Sequence, residues 1–170
     1  MITFSFLDKS RAEEVLPVLF KILHSNMSVI APTGNNYEED YTCWHDSIFH
    51  VLNNPQWQII MIFDDNTMVG YFQFSLNETT FMMEDIQFCQ EYMGTGVFRQ
   101  LYSYLSDIIP KKITFVEAYA HKKNEKSQGI LKHLGLDIVG ENKNGISYLF
   151  RGNCRKMLYM YSSENTEHMS

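Results

Sequence analysis

Ile2-Thr3-Phe4-Ser5-Phe6 alternates apolar and polar residues, the period of a strand with one buried face. Ser10 followed by Glu13 predicts a capped helix start, and Val15, Leu16, Leu19, Phe20 and Leu23 give that helix an apolar stripe. Pro17 falls inside it and predicts a kink or a later start. Ser25 to Asn36, with Pro32, Gly34 and paired asparagines, predicts a loop, and Glu38 to Leu52 a second helix carrying Trp44, Ile48 and Val51 on one side. Trp57 to Phe63 and Met68 to Leu76 flank Asp64-Asp65-Asn66 as a hairpin, and Phe81 to Cys89 follows as another strand. Gly94-Thr95-Gly96 opens an amphipathic helix that Pro110 ends. Ile113 to His121 is a strand, Asn124 caps a helix ending before Gly135, and Leu136 to Val139 and Ser147 to Phe150 are closing strands. Arg155 to Tyr161 reads as a short amphipathic element.

This order predicts an α/β fold whose front half is antiparallel and whose back half runs strand, helix, strand, helix. The reading is one domain over residues 1–161 and a polar tail over 162–170. Met157-Leu158-Tyr159-Met160-Tyr161 offers apolar area either to a second copy, making a homodimer, or to the protein's own sheet.

Composition narrows the function. With 45% hydrophobic and 20% charged residues in a chain of 170, one sizeable core is expected. The formal net charge of −6 leaves no basic footprint for nucleic acid beyond Lys122, Lys123 and Lys126. Cys43, Cys89 and Cys154 are too far apart for a zinc site or a disulfide framework, which predicts no metal and a reducing, cytoplasmic setting. Neither a signal peptide nor an apolar run of the ~18 residues that a membrane span needs is expected.

The candidate chemistry lies at Ile86 to Phe98. An apolar strand runs into a turn with two glycines and then a helix, whose unpaired first amides favour a phosphate or pyrophosphate. Shaping the turn is the simpler role for Gly94 and Gly96. The segment lacks the Lys-Ser/Thr ending of a P-loop and the three spaced glycines of a dinucleotide fingerprint.

Met93-Gly94-Thr95-Gly96-Val97-Phe98 resembles the Gln/Arg-x-x-Gly-x-Gly/Ala turn of the GCN5-related N-acetyltransferases, and Asn124, Ser127 and Gly135 fit that family's later Asn…Tyr-x-x-x-Gly-Phe register. The resemblance spans roughly residues 1–161. It implies a mixed, mostly antiparallel central sheet flanked by helices, the acyl-CoA N-acyltransferase fold, and acetyl-coenzyme A as cosubstrate. By that resemblance the backbone near Phe88 holds the pantetheine arm, and Met93, Gly94, Thr95, Gly96, Val97 and Phe98 hold the diphosphate, with Asn124 and Ser127 also on the cofactor. The acceptor implied is a primary amine of a small molecule or peptide.

The departures define the alternatives. Met93 replaces Gln or Arg, Phe98 replaces a small residue, and Leu131 stands where the family carries a tyrosine acid. A catalytically weak coenzyme A sensor of the same fold is one alternative; an interaction module with Phe98 filling the cofactor space is another.

Attack by an amine on a thioester needs a proton acceptor. Glu84 is the first base candidate, four positions before Phe88 on the same strand, with Asp85 as alternate. Glu117, Tyr119 and His121 share one face of the next strand, and Tyr119 and His121 are further catalytic candidates. In the family the segment joining the first two helices often helps enclose the acceptor, so Met27 to Tyr41, with Asn35, Asn36, Tyr37, Glu38, Glu39 and Asp40, is the expected specificity element. The same acids could instead form a first helical turn.

Overall fold

The structure, a computed structural model, describes residues 1–162 and 165. The tail expected over 162–170 otherwise lies outside the described residues.

Seven strands form one mixed sheet in the order β1-β2-β3-β4-β5-β7-β6. These are β1 (Ile2–Phe6), β2 (Trp57–Asp64), β3 (Thr67–Asn77), β4 (Thr80–Phe88), β5 (Phe115–His121), β6 (Asp137–Glu141) and β7 (Ser147–Asn153). The helices are α1 (Ala12–Ile30), α2 (Tyr37–Leu52), α3 (Val97–Ile108), α4 (Glu125–His133) and α5 (Cys154–Tyr159). The β1–β2, β5–β7 and β6–β7 pairs are antiparallel. β4 and β5 pair in parallel, from Thr80 against Phe115 to Met83 against Ala118, and α3 supplies the crossover that parallel neighbours require.

The chain divides into two compact units, Met1–Phe74 with Asp85–Met93, and Ser75–Glu84 with Gly94–Ser170, so β3 and β4 each contribute residues to both. In the first unit, Leu7, Val15, Leu16, Leu19, Ile48, Leu52, Ile59 and Tyr71 make one apolar cluster. These are the inward positions of α1 and α2 set on β2 and β3. In the second, Leu101, Tyr102 and Leu105 of α3, Val116, Phe150, Cys154, Met157 and Leu158 are buried. Of the apolar stretch read as available to a homodimer or to the protein's own sheet, Met157 and Leu158 are buried in their own unit, while Tyr159 and Met160 are exposed.

Two local readings differ from the structure. Residues 25–30 belong to α1, leaving a loop of only 31–36. Ser25, Asn26 and Ser28 look like loop residues, yet the helix that buries Ile22 a turn earlier continues through them. Pro17 sits within α1 without ending it. The helix is also entered differently: Asp8, not Ser10, is the cap, its carboxylate accepting from Ser10 N at 2.9 Å and Ser10 Oγ at 2.7 Å, ahead of a 3-10 turn at Lys9–Arg11. These bonds hold the Asp8 carboxyl below the usual range.

Candidate cofactor and catalytic sites

In the second unit, α3 begins on a bare backbone. Gly94 and Gly96 have φ of +78° and +88°, a left-handed region that glycine enters without penalty. Neither glycine is there to make room: a Cβ at either meets nothing within 4 Å. Gly96 is the N-cap with no side-chain bond, its carbonyl accepting from Gln100 N at 3.1 Å. The first turn carries no acid, and Arg99 occupies its third position. A helix start with no side-chain cap and no acid, at the positive end of the dipole, is an arrangement that favours an anion.

Phe98, which could have crowded this space, turns away from it. Its ring stacks on Tyr102 with centroids 4.4 Å apart and meets Tyr161 edge-on at 6.3 Å. Tyr102 is itself buried, with its hydroxyl on Met83 Sδ at 3.1 Å, and burial raises its pKa. Phe98 is thus half-buried along α3, and Met93, Gly94, Thr95 and Gly96 are exposed.

Asn124 caps α4 through its side-chain oxygen, which accepts from Ser127 N at 3.0 Å. The cap fixes the carboxamide oxygen on the helix start. The helix ends with Gly135 N on Lys132 O and Leu136 N on Leu131 O, both 3.0 Å, a Schellman closure. Leu131 is only 8% exposed. The position where the family carries a tyrosine acid therefore serves packing here.

On β5, Phe115, Glu117, Tyr119 and His121 share a face, as their spacing predicts. Arg151 of β7 lies opposite Glu117, 3.5 Å from its carboxylate and 4.1 Å over the Phe115 ring. Tyr119 is 46% exposed. His121 Nδ1 accepts from Lys123 N at 3.1 Å, so the neutral ring carries its proton on Nε2. In that tautomer His121 is a donor rather than a base. Glu84 accepts from Ser75 Oγ at 3.1 Å.

The first unit holds a polar chain that reading by element misses. Tyr71 OH donates to Asp85 Oδ2 at 2.5 Å, and Gln87 Nε2 donates to Asp85 Oδ1 at 2.7 Å. Asn26 Nδ2 donates to Gln87 Oε1 at 3.0 Å and to the Phe88 carbonyl at 2.9 Å. Burial raises the Asp85 pKa despite donors from Tyr71, Gln87 and the Ile86 amide, and burial next to Asp85 pushes the Tyr71 phenol well above its usual value. The Phe88 ring lies so close to Gly70 that a Cβ there would stand 2.7 Å from ring atom Cδ1. Phe88 is buried, and its carbonyl already accepts from Asn26. Asn26 was not legible because its segment read as loop. Tyr71 and Gln87 sit in apolar strands where only pairing reveals their partner.

The expected specificity element is mostly helix. Glu38, Glu39 and Asp40 form the first turn of α2, with Asn36 and Glu39 exchanging capping-box bonds at 3.0 Å each. Asp40 takes the Thr33 hydroxyl at 2.7 Å and stands 3.7 Å from His24. Phe20 meets Tyr37, Tyr41 and Trp44 at 5.1–5.3 Å between centroids, so these rings mainly pack α1 on α2. Among the described residues no cluster of metal-ligating side chains occurs, and no helix is long and apolar enough to cross a membrane.

No protein-family model matches the chain, and no curated protein matches it by sequence. Solved structures do. An acetyltransferase from Thermus thermophilus superposes with a TM-score of 0.70 at 14% identity, over 90% of this chain and 97% of that one. The PaiA N-acetyltransferase from Thermoplasma acidophilum, in complex with coenzyme A, gives 0.67 at 16% identity, over 90% and 99%. The ribosomal-protein-S18-alanine N-acetyltransferase from Escherichia coli gives 0.63 at 14% identity, over 90% and 94%. With its seven-stranded, mostly antiparallel sheet flanked by helices, the chain has the fold of the GCN5-related N-acetyltransferases.

Proposed function

We propose that the protein binds acetyl-coenzyme A, seating its diphosphate on the turn from Gly94 to Phe98, and transfers the acetyl group to a primary amine of a small molecule or peptide. The observation that carries this is the start of α3: two left-handed glycines, no side-chain cap, no acid and an arginine in the first turn. The names of the structural neighbours agree in reaction class, and one names an alanine of a ribosomal protein as acceptor.

Acetyl-coenzyme A supplies a thioester; the chain must supply a proton acceptor for the attacking amine. Asp85 suits that role better than Glu84. Burial raises its pKa, while Tyr71 and Gln87 hold both oxygens in place. Tyr119 and His121 serve, in this reading, as donors toward the acceptor or the departing group. Leu131 cannot provide an acid, but a thiol of pKa about 8.5 is a fair leaving group without one.

Calorimetric titration of cofactor-stripped protein with acetyl-coenzyme A and with coenzyme A tests the reading. One-site saturable binding supports it; no binding at millimolar ligand to folded protein overturns it. An amine panel follows, in which Asp85→Asn lowers kcat by about a hundredfold or more and Glu84→Gln by less than about tenfold. The buried Leu131 favours one other reading, a coenzyme A sensor: binding without turnover across the panel is its signature.

A further inference from the structure

The chain of bonds from Asn26 to Tyr71 has a direction that a single atom imposes. The Phe88 carbonyl can only accept, so Asn26 must present its NH2 to it. The same nitrogen lies 3.0 Å from the Gln87 carboxamide, and two NH2 groups do not bond, so Gln87 must present oxygen to Asn26. That places the Gln87 NH2 on Asp85, 2.7 Å from Oδ1. A backbone carbonyl that cannot turn over thus decides which end of Gln87 meets the acid, through a side chain 61 residues away in sequence.

We propose that Asn26 and Gln87 are positioning residues for Asp85: Asn26, anchored on the Phe88 carbonyl, orients the Gln87 carboxamide so that it donates to the Asp85 carboxylate and favours its proton-accepting form. The proposal rests on the reading of Asp85 as base. The groups facing Asp85 are few. Tyr71 comes from β3 and is neutral; Gln87 and the Ile86 amide come from its own strand, and the neutral Asn26 of α1 bonds Gln87 and the Phe88 carbonyl rather than Asp85 itself. Among the described residues Asp85 has no ion-pair partner. Oriented neutral donors therefore do what a cation does elsewhere: they oppose the penalty of burying a negative charge. Without Asn26, Gln87 is free to turn its oxygen toward Asp85, and the acid then keeps its proton.

The test follows the Asp85 carboxyl carbon by 13C NMR through a pH titration of the cofactor-free full chain, with Asp85→Asn assigning the signal. In Asn26→Leu the titration midpoint rises by about one pH unit, the scale of one lost hydrogen bond to a carboxylate. In Gln87→Met it rises similarly. In the double variant it stays where Gln87→Met alone puts it, because Asn26 acts only through Gln87. If Asn26→Leu does not fold, Asn26→Ser replaces it with the same expectation. A midpoint unmoved by the Asn26 change, with only the melting temperature lowered, overturns the proposal, as does an equal rise in the Gln87→Met background. None of these readings uses acetyl-coenzyme A, so they stand if the cofactor reading fails. Conversely, an acid limb of kcat/KM that ignores the NMR midpoint across the variants removes Asp85 as base and leaves its positioning by Asn26 established.

Discussion

The helices α2 and α3 start in opposite ways. At α2 the chain satisfies itself: Asn36 bonds the Glu39 amide, Glu39 bonds back, and three acids meet the dipole. At α3 nothing from a side chain caps the first turn, Gly96 stands in the left-handed region, and Arg99 adds positive charge where the dipole is already positive. The two ends have the same backbone and the same electrostatic demand. α2 meets that demand with local residues, which makes the acids of residues 38–40 parts of a helix end before they are parts of any binding surface. α3 has no side-chain cap to meet it, which is why the proposed function seats the diphosphate there.

Gly96→Val is the strongest way to break this contrast. It puts a β-branched residue at φ +88° and a side chain into the open space before the helix. Acetyl-coenzyme A affinity by calorimetry falls tenfold or more, about 1.4 kcal/mol, while the backbone strain costs about 1–3 kcal/mol of stability in urea unfolding. Arg99→Glu sharpens the contrast because its two effects oppose. An acid in the first turn stabilises the cofactor-free helix by about 0.3–1 kcal/mol, yet it repels the diphosphate and weakens binding several-fold. Asn36→Ala acts at the other end. It costs about 1 kcal/mol of stability, read as a melting point lower by about 2–4 °C, and leaves cofactor affinity unchanged.

The smallest effect is a slope. Asp85 has a folded pKa above its unfolded value, so between the two the native state binds more protons than the unfolded state. Stability therefore falls as pH rises from the ordinary carboxylate range through the folded pKa. Asp85→Asn removes that part of the slope in denaturant titrations repeated across this window, and a slope identical to that of the unsubstituted protein contradicts the assignment.

Much of this was legible from local pattern. The hairpin around Asp64 and Asp65, the glycine entry to α3 and the Asn124 cap of α4 all depend on residues within a few positions of one another. The misreadings were local as well. Ser25 to Ile30 looked like loop because it was read together with Pro32, Gly34 and the paired asparagines that follow, yet α1 continues through it to Ile30. Ser10 looked like the cap because the Ser-x-x-Glu spacing fits, but Asp8, two residues earlier, reaches the Ser10 amide and hydroxyl first. Phe98 was ambiguous because a strand-to-helix turn does not say which way its ring rotates; Tyr102, one helical turn on, settles it by stacking.

The amino-acid order by itself determined most of the helix and strand positions, the glycine entry to α3 and the Asn124 cap of α4. Those properties follow from steric preference and from bonds between near neighbours. Only the tertiary structure decided that Asn26, Gln87, Asp85 and Tyr71 are one hydrogen-bonded chain. Asn26 and Gln87 are 61 residues apart, Tyr71 and Asp85 are 14, and hydrogen-bond direction and loss of water around a carboxylate exist only once the strands and α1 have come together.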